Sequence, residues 1–85
     1  MRFAVVVEVR GLDGIADPAG QTIERALPAL GFRGVGEVHV GKSLSFVVEA
    51  PDEATARAEV EKMCEALLAN PVIERYSIDL EAVGR

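Results

Sequence analysis

Gly36-Glu37-Val38-His39-Val40-Gly41-Lys42-Ser43-Leu44-Ser45-Phe46-Val47-Val48 is the stretch whose reading decides the fold. Its first eight residues satisfy GxxxxGKS, the pattern of a phosphate-cradling loop. That pattern works only after a strand and before a helix, where backbone N–H groups and the helix N-terminus converge on the phosphates. Here the flanks are wrong. Val38 and Val40 alternate with Glu37 and His39, and Leu44, Phe46 and Val48 alternate with Ser45 and Val47. Two alternating runs separated by Gly41-Lys42-Ser43 predict a β-hairpin whose turn needs glycine. No later apolar strand ends in a magnesium-binding Asp, so nucleotide hydrolysis at Lys42 is set aside.

Upstream, Phe3, Val5, Val7 and Val9 share one parity while Arg2, Glu8 and Arg10 take the other, the pattern of a strand with one buried face. A turn-rich loop, residues 11–16, leads to Asp17-Pro18, a helix start: Asp accepts free backbone N–H groups and Pro tolerates the first helical position. Ile23, Leu27 and Leu30 follow at helical spacing, and Gly31 supplies the left-handed residue that lets Phe32 fold back onto Leu27. Pro28 removes the bond to the Glu24 carbonyl, which predicts a kink.

Downstream, Asp52 can cap a second helix with the stripe Ala56, Val60, Met63, Cys64 and Leu67. Glu53, Glu59, Glu61 and Glu65 form its solvated face. Asn70-Pro71 stops the helix, and Pro71 pushes Asn70 towards an extended conformation. Tyr76, Ile78 and Leu80 then alternate with Ser77, Asp79 and Glu81 in a last strand.

Strand, helix, strand, strand, helix, strand is the order of an α+β ferredoxin-like plait: a four-stranded antiparallel sheet with both helices on one face. The other face is predicted to carry Ala4, Val6, Glu8, Glu37, His39, Ser45, Val47, Ser77 and Asp79. Ala4, Val6 and Val47 are more apolar than a free surface needs, which predicts a contact with another chain. Scattered apolar residues on a monomer surface are the plain alternative.

The chain has 85 residues, one domain's worth, taken as a single unit over 1–85. Its 9.1 kDa predicts burial of roughly 63% of the extended chain's surface, so one modest core. Half the residues are apolar but only 5% are aromatic, so that core is built from small and β-branched side chains. A net charge of −5 argues against nucleic-acid or anionic-membrane partners. The N-terminal apolar run is too short for a secretory or membrane segment, which predicts a cytoplasmic protein. Cys64, the sole cysteine, reads as a small core residue, and His39 with Glu37 offers too few ligands for a metal. No nucleophile with its base, no catalytic carboxylate pair and no oxyanion arrangement can be identified.

Three stretches carry a family resemblance. They are Asp17-Pro18-Ala19-Gly20-Gln21-Thr22-Ile23-Glu24-Arg25-Ala26-Leu27 with Leu30-Gly31-Phe32, then Val38-His39-Val40-Gly41-Lys42, and Met63 to Tyr76 with its run Leu67-Leu68-Ala69-Asn70-Pro71-Val72-Ile73-Glu74. Together they resemble PurS, the small-subunit family of phosphoribosylformylglycinamidine synthase, over about Phe3 to Leu80. Two departures stand out: Ala19 where glutamine is usual after Asp-Pro, and Pro28 in a helix that is usually proline-free.

The resemblance implies a non-catalytic part in purine biosynthesis. The family's enzyme turns formylglycinamide ribonucleotide, ATP and glutamine into formylglycinamidine ribonucleotide, with ligase chemistry in PurL and glutamine hydrolysis in PurQ. It implies a homodimer, or a tetramer of two dimers, that bridges those subunits and helps ammonia pass between them. No cofactor is then expected in this chain, while ATP and magnesium belong to the large partner subunit. Partner-contact candidates are Ala4, Val6 and Val47 on the free face, and Gly41, Lys42, Asn70 and Pro71 in the turns. A small-molecule regulatory module of ACT-like type, binding amino acids at a dimer interface, is the alternative; it rests on fold analogy.

Overall fold

The computed structural model describes residues 1–84. Strands β1 (Arg2–Gly11), β2 (Lys42–Glu49) and β3 (Glu74–Val83) form one antiparallel sheet in the order β2-β1-β3. The alternation along β1 does what its parity requires: Phe3, Val5, Val7 and Val9 are at most 1% exposed. Val7 stands between Leu44 of β2 and Ile78 of β3, and Val5 between Phe46 and Leu80, so three strands contribute to each apolar layer.

Helix α2 (Glu53–Met63) begins where the Asp52 carboxylate accepts the Thr55 N–H at 2.7 Å. Its buried face, Ala56 and Val60, lies on the sheet and packs against β3. The last turn widens into a π-turn over Cys64–Leu68, with the Ala69 N–H donating to the Cys64 carbonyl. Val60, Cys64 and Ala69 close over Val5, Val7 and Val9, and Phe3, Ala50 and Ala56 form a smaller adjoining cluster. Asn70 then builds the exit turn: its side-chain oxygen accepts the Val72 N–H, and its carbonyl accepts the Glu74 N–H at 2.7 Å.

The predicted four-stranded plait is present only in part: an α+β fold with two helices and three antiparallel strands. The run Val38–Val40 forms no strand. Gly34 and Glu37 have φ of 84° and 56°, which turns the chain out of an extended path on the way in. The N–H groups that a ladder would use are also taken: Val38 donates to the Glu24 carboxylate at 3.0 Å and Val40 to Asp17 at 2.9 Å. Gly41-Lys42 is therefore the entry to β2 rather than a hairpin turn, and Glu37 and His39 leave the open sheet face.

The second correction concerns helix α1 (Pro18–Ala26). Pro28 ends it rather than kinking it, and a 3₁₀ turn, Pro28–Leu30, takes over. Gly31 closes that turn at φ 96°, with the Phe32 N–H on the Leu27 carbonyl, as the glycine predicts. Helix α1 does not pack on the sheet of its own chain; its packed neighbour is the 3₁₀ turn. Residues 12–41 form an arm in which only Gly20 is buried. The molecule is accordingly 51 Å long, with a radius of gyration of 16.6 Å. A compact chain of this length would have about 12 Å.

Candidate functional site

The arm is ordered from within by one carboxylate. Asp17 accepts the Gly20 N–H at 3.0 Å as the cap of α1, and the Val40 N–H at 2.9 Å across the arm. His39 Nδ1 stands 3.4 Å from its second oxygen. The Val40 and Gly20 hydrogen bonds, with a smaller part from His39, hold the Asp17 carboxyl below its ordinary range. Gly20 allows the close approach: a Cβ there would stand 2.5 Å from the Val38 carbonyl oxygen and 2.6 Å from Asp17 Oδ2.

What the arm does not have is cover for its apolar side. Leu12, Ile15, Ile23, Leu30, Phe32, Val35 and Val40 are all exposed, Leu30 to 70% and Phe32 to 58%. The sheet has the converse defect. Helix α2 packs on the β3 side, while on β2 Leu44, Phe46 and Val48 are only half-buried. A helix lacks a sheet, and a flank of the sheet lacks a helix. The chain exposes 6114 Å² of surface. A compact protein of its mass would expose about 4,900 Å².

The sequence-predicted contact residues fall in two places. Ala4, Val6 and Val47 come together on the helix-free face, where Ala4 pairs directly with Val47 and Val47 is 48% exposed. Gly41, Lys42, Asn70 and Pro71 gather at the sheet end where β1 leaves and β2 and β3 begin. Gly41 fits tightly there, since a Cβ would stand 2.5 Å from the Val9 carbonyl oxygen. Lys42 lines an open cleft of about 510 Å³. Asn70 is occupied in its own turn, but Pro71 and the neighbouring Val72, 79% exposed, face outward.

Sequence reasoning missed that the stripe Ile23, Leu27 and Leu30 lacks cover within the chain, because it assigned that stripe to the chain's own sheet. Helical periodicity marks a face that needs cover but is silent on which sheet covers it. Cys64 is buried as expected, and burial pushes its thiol up, away from nucleophilic use. Among the described residues, no group of three or more His, Cys, Asp or Glu is placed to hold a metal, and no helix is long and apolar enough to cross a membrane.

Comparison with known proteins agrees with this arrangement. Residues 4–82 match the family model PurS, phosphoribosylformylglycinamidine (FGAM) synthase. The chain is 45% identical over 69 residues to phosphoribosylformylglycinamidine synthase subunit PurS of Synechocystis, covering 81% of this chain and 69% of the relative. It is 41% identical over 81 residues to the PurS subunit of Methanocaldococcus jannaschii, covering 95% and 98%. It also superposes with a TM-score of 0.88 and 36% identity on a chain in the structure of PurLQS from Thermotoga maritima, covering 95% of this chain and 99% of that one. Fold and sequence agree over most of the chain, and it belongs to the PurS family, subunits of FGAM synthase in purine biosynthesis.

Proposed function

We propose that the chain is a bridging subunit: it holds the glutaminase and the synthetase of the FGAM synthase together and so supports ammonia transfer between them. The observation that carries this reading is the arm of residues 12–41, folded in detail yet without a core. Such a segment is built to be completed by other chains. Kinship with a chain in the Thermotoga maritima PurLQS structure supports partners of the PurL and PurQ kind. In this reading residues 1–85 act as one unit in the cytoplasm and hold no cofactor; ATP and magnesium belong to the large subunit.

The first partner is a second copy. Its α1 fits over Leu44, Phe46 and Val48 of this chain while this chain's α1 does the reciprocal, which gives each half-covered sheet its second helix and completes the plait's helix layer. The surplus exposure, about 1,200 Å² per chain, exceeds the roughly 800 Å² that each partner contributes to a standard interface. Ala4, Val6 and Val47, with the sheet-end residues Gly41, Lys42, Asn70 and Pro71, then remain for dimer pairing and for the two larger subunits.

Two measurements test this. Adding the chain to its synthetase and glutaminase should restore glutamine-dependent FGAM synthesis, and full glutamine-dependent activity without it would refute the bridging role. In light scattering, Ile23→Asp with Leu27→Asp should weaken self-association at least about thirtyfold, since two charges would be buried without partners. Val47→Glu should weaken it less. The reverse ranking would move the dimer contact to the open face.

A further inference from the structure

The cleft at the sheet end concentrates positive charge in an acidic chain. Arg10 of β1 and Arg75 of β3 stand directly opposite each other in the antiparallel ladder, and both line it. Lys42, at the start of β2, pairs with the core-facing Val9 and so belongs to the opposite face of the sheet. Among the described residues the ion pairs are Arg2 with Glu49 and His39 with Asp17; neither of these guanidiniums, Arg10 or Arg75, takes part in one. Like charges placed directly across a strand pair repel and destabilise the sheet. Arg10 and Arg75 set two guanidiniums side by side on the helix-free face with Glu8 as the one carboxylate in the cleft, so one positive charge is left over for an anion.

The rest of the lining gives that site chemical character. Ser43 and Ser77 both pair in register with Glu8, so two hydroxyls flank a single carboxylate. Two guanidiniums and two hydroxyls supply more donors than one carboxylate ligand can accept, and they suit the three terminal oxygens of a phosphate. The cleft, about 510 Å³, lies within the size range of small-molecule sites. Glu8 adds an acceptor for a ligand hydroxyl.

We propose that Arg10, Arg75, Ser43 and Ser77 bind the phosphate of a sugar phosphomonoester, with Glu8 receiving one of its hydroxyls. Lys42 and Ser43 are the end of the GxxxxGKS run, which is no nucleotide-hydrolysing loop here. Of the two, Ser43 contributes a hydroxyl to a site built across three strands, while Lys42 lies on the other face. The site goes beyond the bridging role and stands or falls separately from it.

The test is amide NMR of the purified chain titrated with inorganic phosphate, ribose 5-phosphate and AMP, with adenosine as the phosphate-free control. Expected are saturable shifts at Arg10, Ser43 and Ser77 in the millimolar range with the phosphates and none with adenosine. Ribose 5-phosphate binding tighter than inorganic phosphate assigns the sugar phosphomonoester; equal affinity, or inorganic phosphate alone, overturns that assignment. Arg10→Gln and Arg75→Gln should each weaken binding at least about tenfold, whereas Arg2→Gln, at the opposite end of β1, should not. Arg75→Gln should also keep or raise the melting temperature, because it relieves a like-charge pair. The proposal is overturned if no phosphate saturates, as it would if these cations instead met an acidic surface of a partner, or if the Arg variants bind as the parent does.

Discussion

The sheet with α2 and the arm of residues 12–41 are both well ordered, yet they are held by different physics. In the sheet body, order comes from burial: Phe3, Val5, Val7, Val9, Val60 and Cys64 are almost wholly removed from water. In the arm it comes from side-chain carboxylates that take up backbone donors, Asp17 for Gly20 and Val40, Glu24 for Val38. Each such bond contributes only about 1 kcal/mol net. Polar contacts suffice to give the arm a shape but not a core, so its apolar side stays uncovered within the chain.

Two of the three phenylalanines, Phe3 and Phe32, give the largest expected contrast. Phe3 is 1% exposed and Phe32 is 58% exposed. Phe3→Ala should cost about 3–5 kcal/mol in urea denaturation, through lost burial and the cavity left behind. Phe32→Ala, measured on dissociated chains, should stay within about 0.5 kcal/mol. Its effect should appear in self-association instead. Equal costs in dissociated chains would mean that the arm has a core of its own, and the contrast between the regions would fail.

Gly20→Ala comes next. The added methyl would sit 2.5 Å from the Val38 carbonyl oxygen, so either α1 or the 35–41 segment must move. Overpacking of this kind typically costs about 1–3 kcal/mol. The loss should be local: amide exchange at Val38 and Val40 accelerates while the amides of β1 keep their protection. Uniform acceleration across both regions would show that arm and body unfold as one unit.

The same division explains what could be read from the chain before its structure. Strand parity in Phe3–Val9 and in Leu44–Val48, the caps Asp17 and Asp52, and the left-handed Gly31 are local signals, and each appears where it was expected. The strand over Val38–Val40 was misread because its alternation is genuine but its backbone donors go to Asp17 and Glu24, residues 23 and 14 positions away. Alternation reports which residues could line a face, not whether a neighbouring strand is present. The open-face residues Ala4, Val6 and Val47 were legible through parity alone. The arm's lack of cover was not, because a stripe on α1 looks the same in sequence whether or not its own sheet covers it.

The smallest effect expected concerns a polar tie in the body, made between two side chains. The Tyr76 hydroxyl donates to Glu65 Oε2 at 2.9 Å, joining β3 to the π-turn. That hydrogen bond, with some desolvation and the negative charge of Glu65, pushes the Tyr76 phenol up to about 12. The neutral phenol is the bonded form. The tie is therefore complete below the ordinary tyrosine range near pH 10 and is lost as pH rises through about 12. Tyr76 is the only tyrosine and there is no tryptophan, so absorbance near 295 nm reads this one group. Glu65→Gln should bring the midpoint down towards 10 while the urea midpoint at pH 7 hardly moves, because Val60, Cys64 and Ala69 hold the π-turn to the sheet without it. In the arm, where no such core stands behind Asp17, removing the carboxylate should free the Val38–Val40 segment. If Glu65→Gln loosened the π-turn as much as Asp17→Asn loosened the arm, side-chain hydrogen bonds rather than burial would be holding both regions.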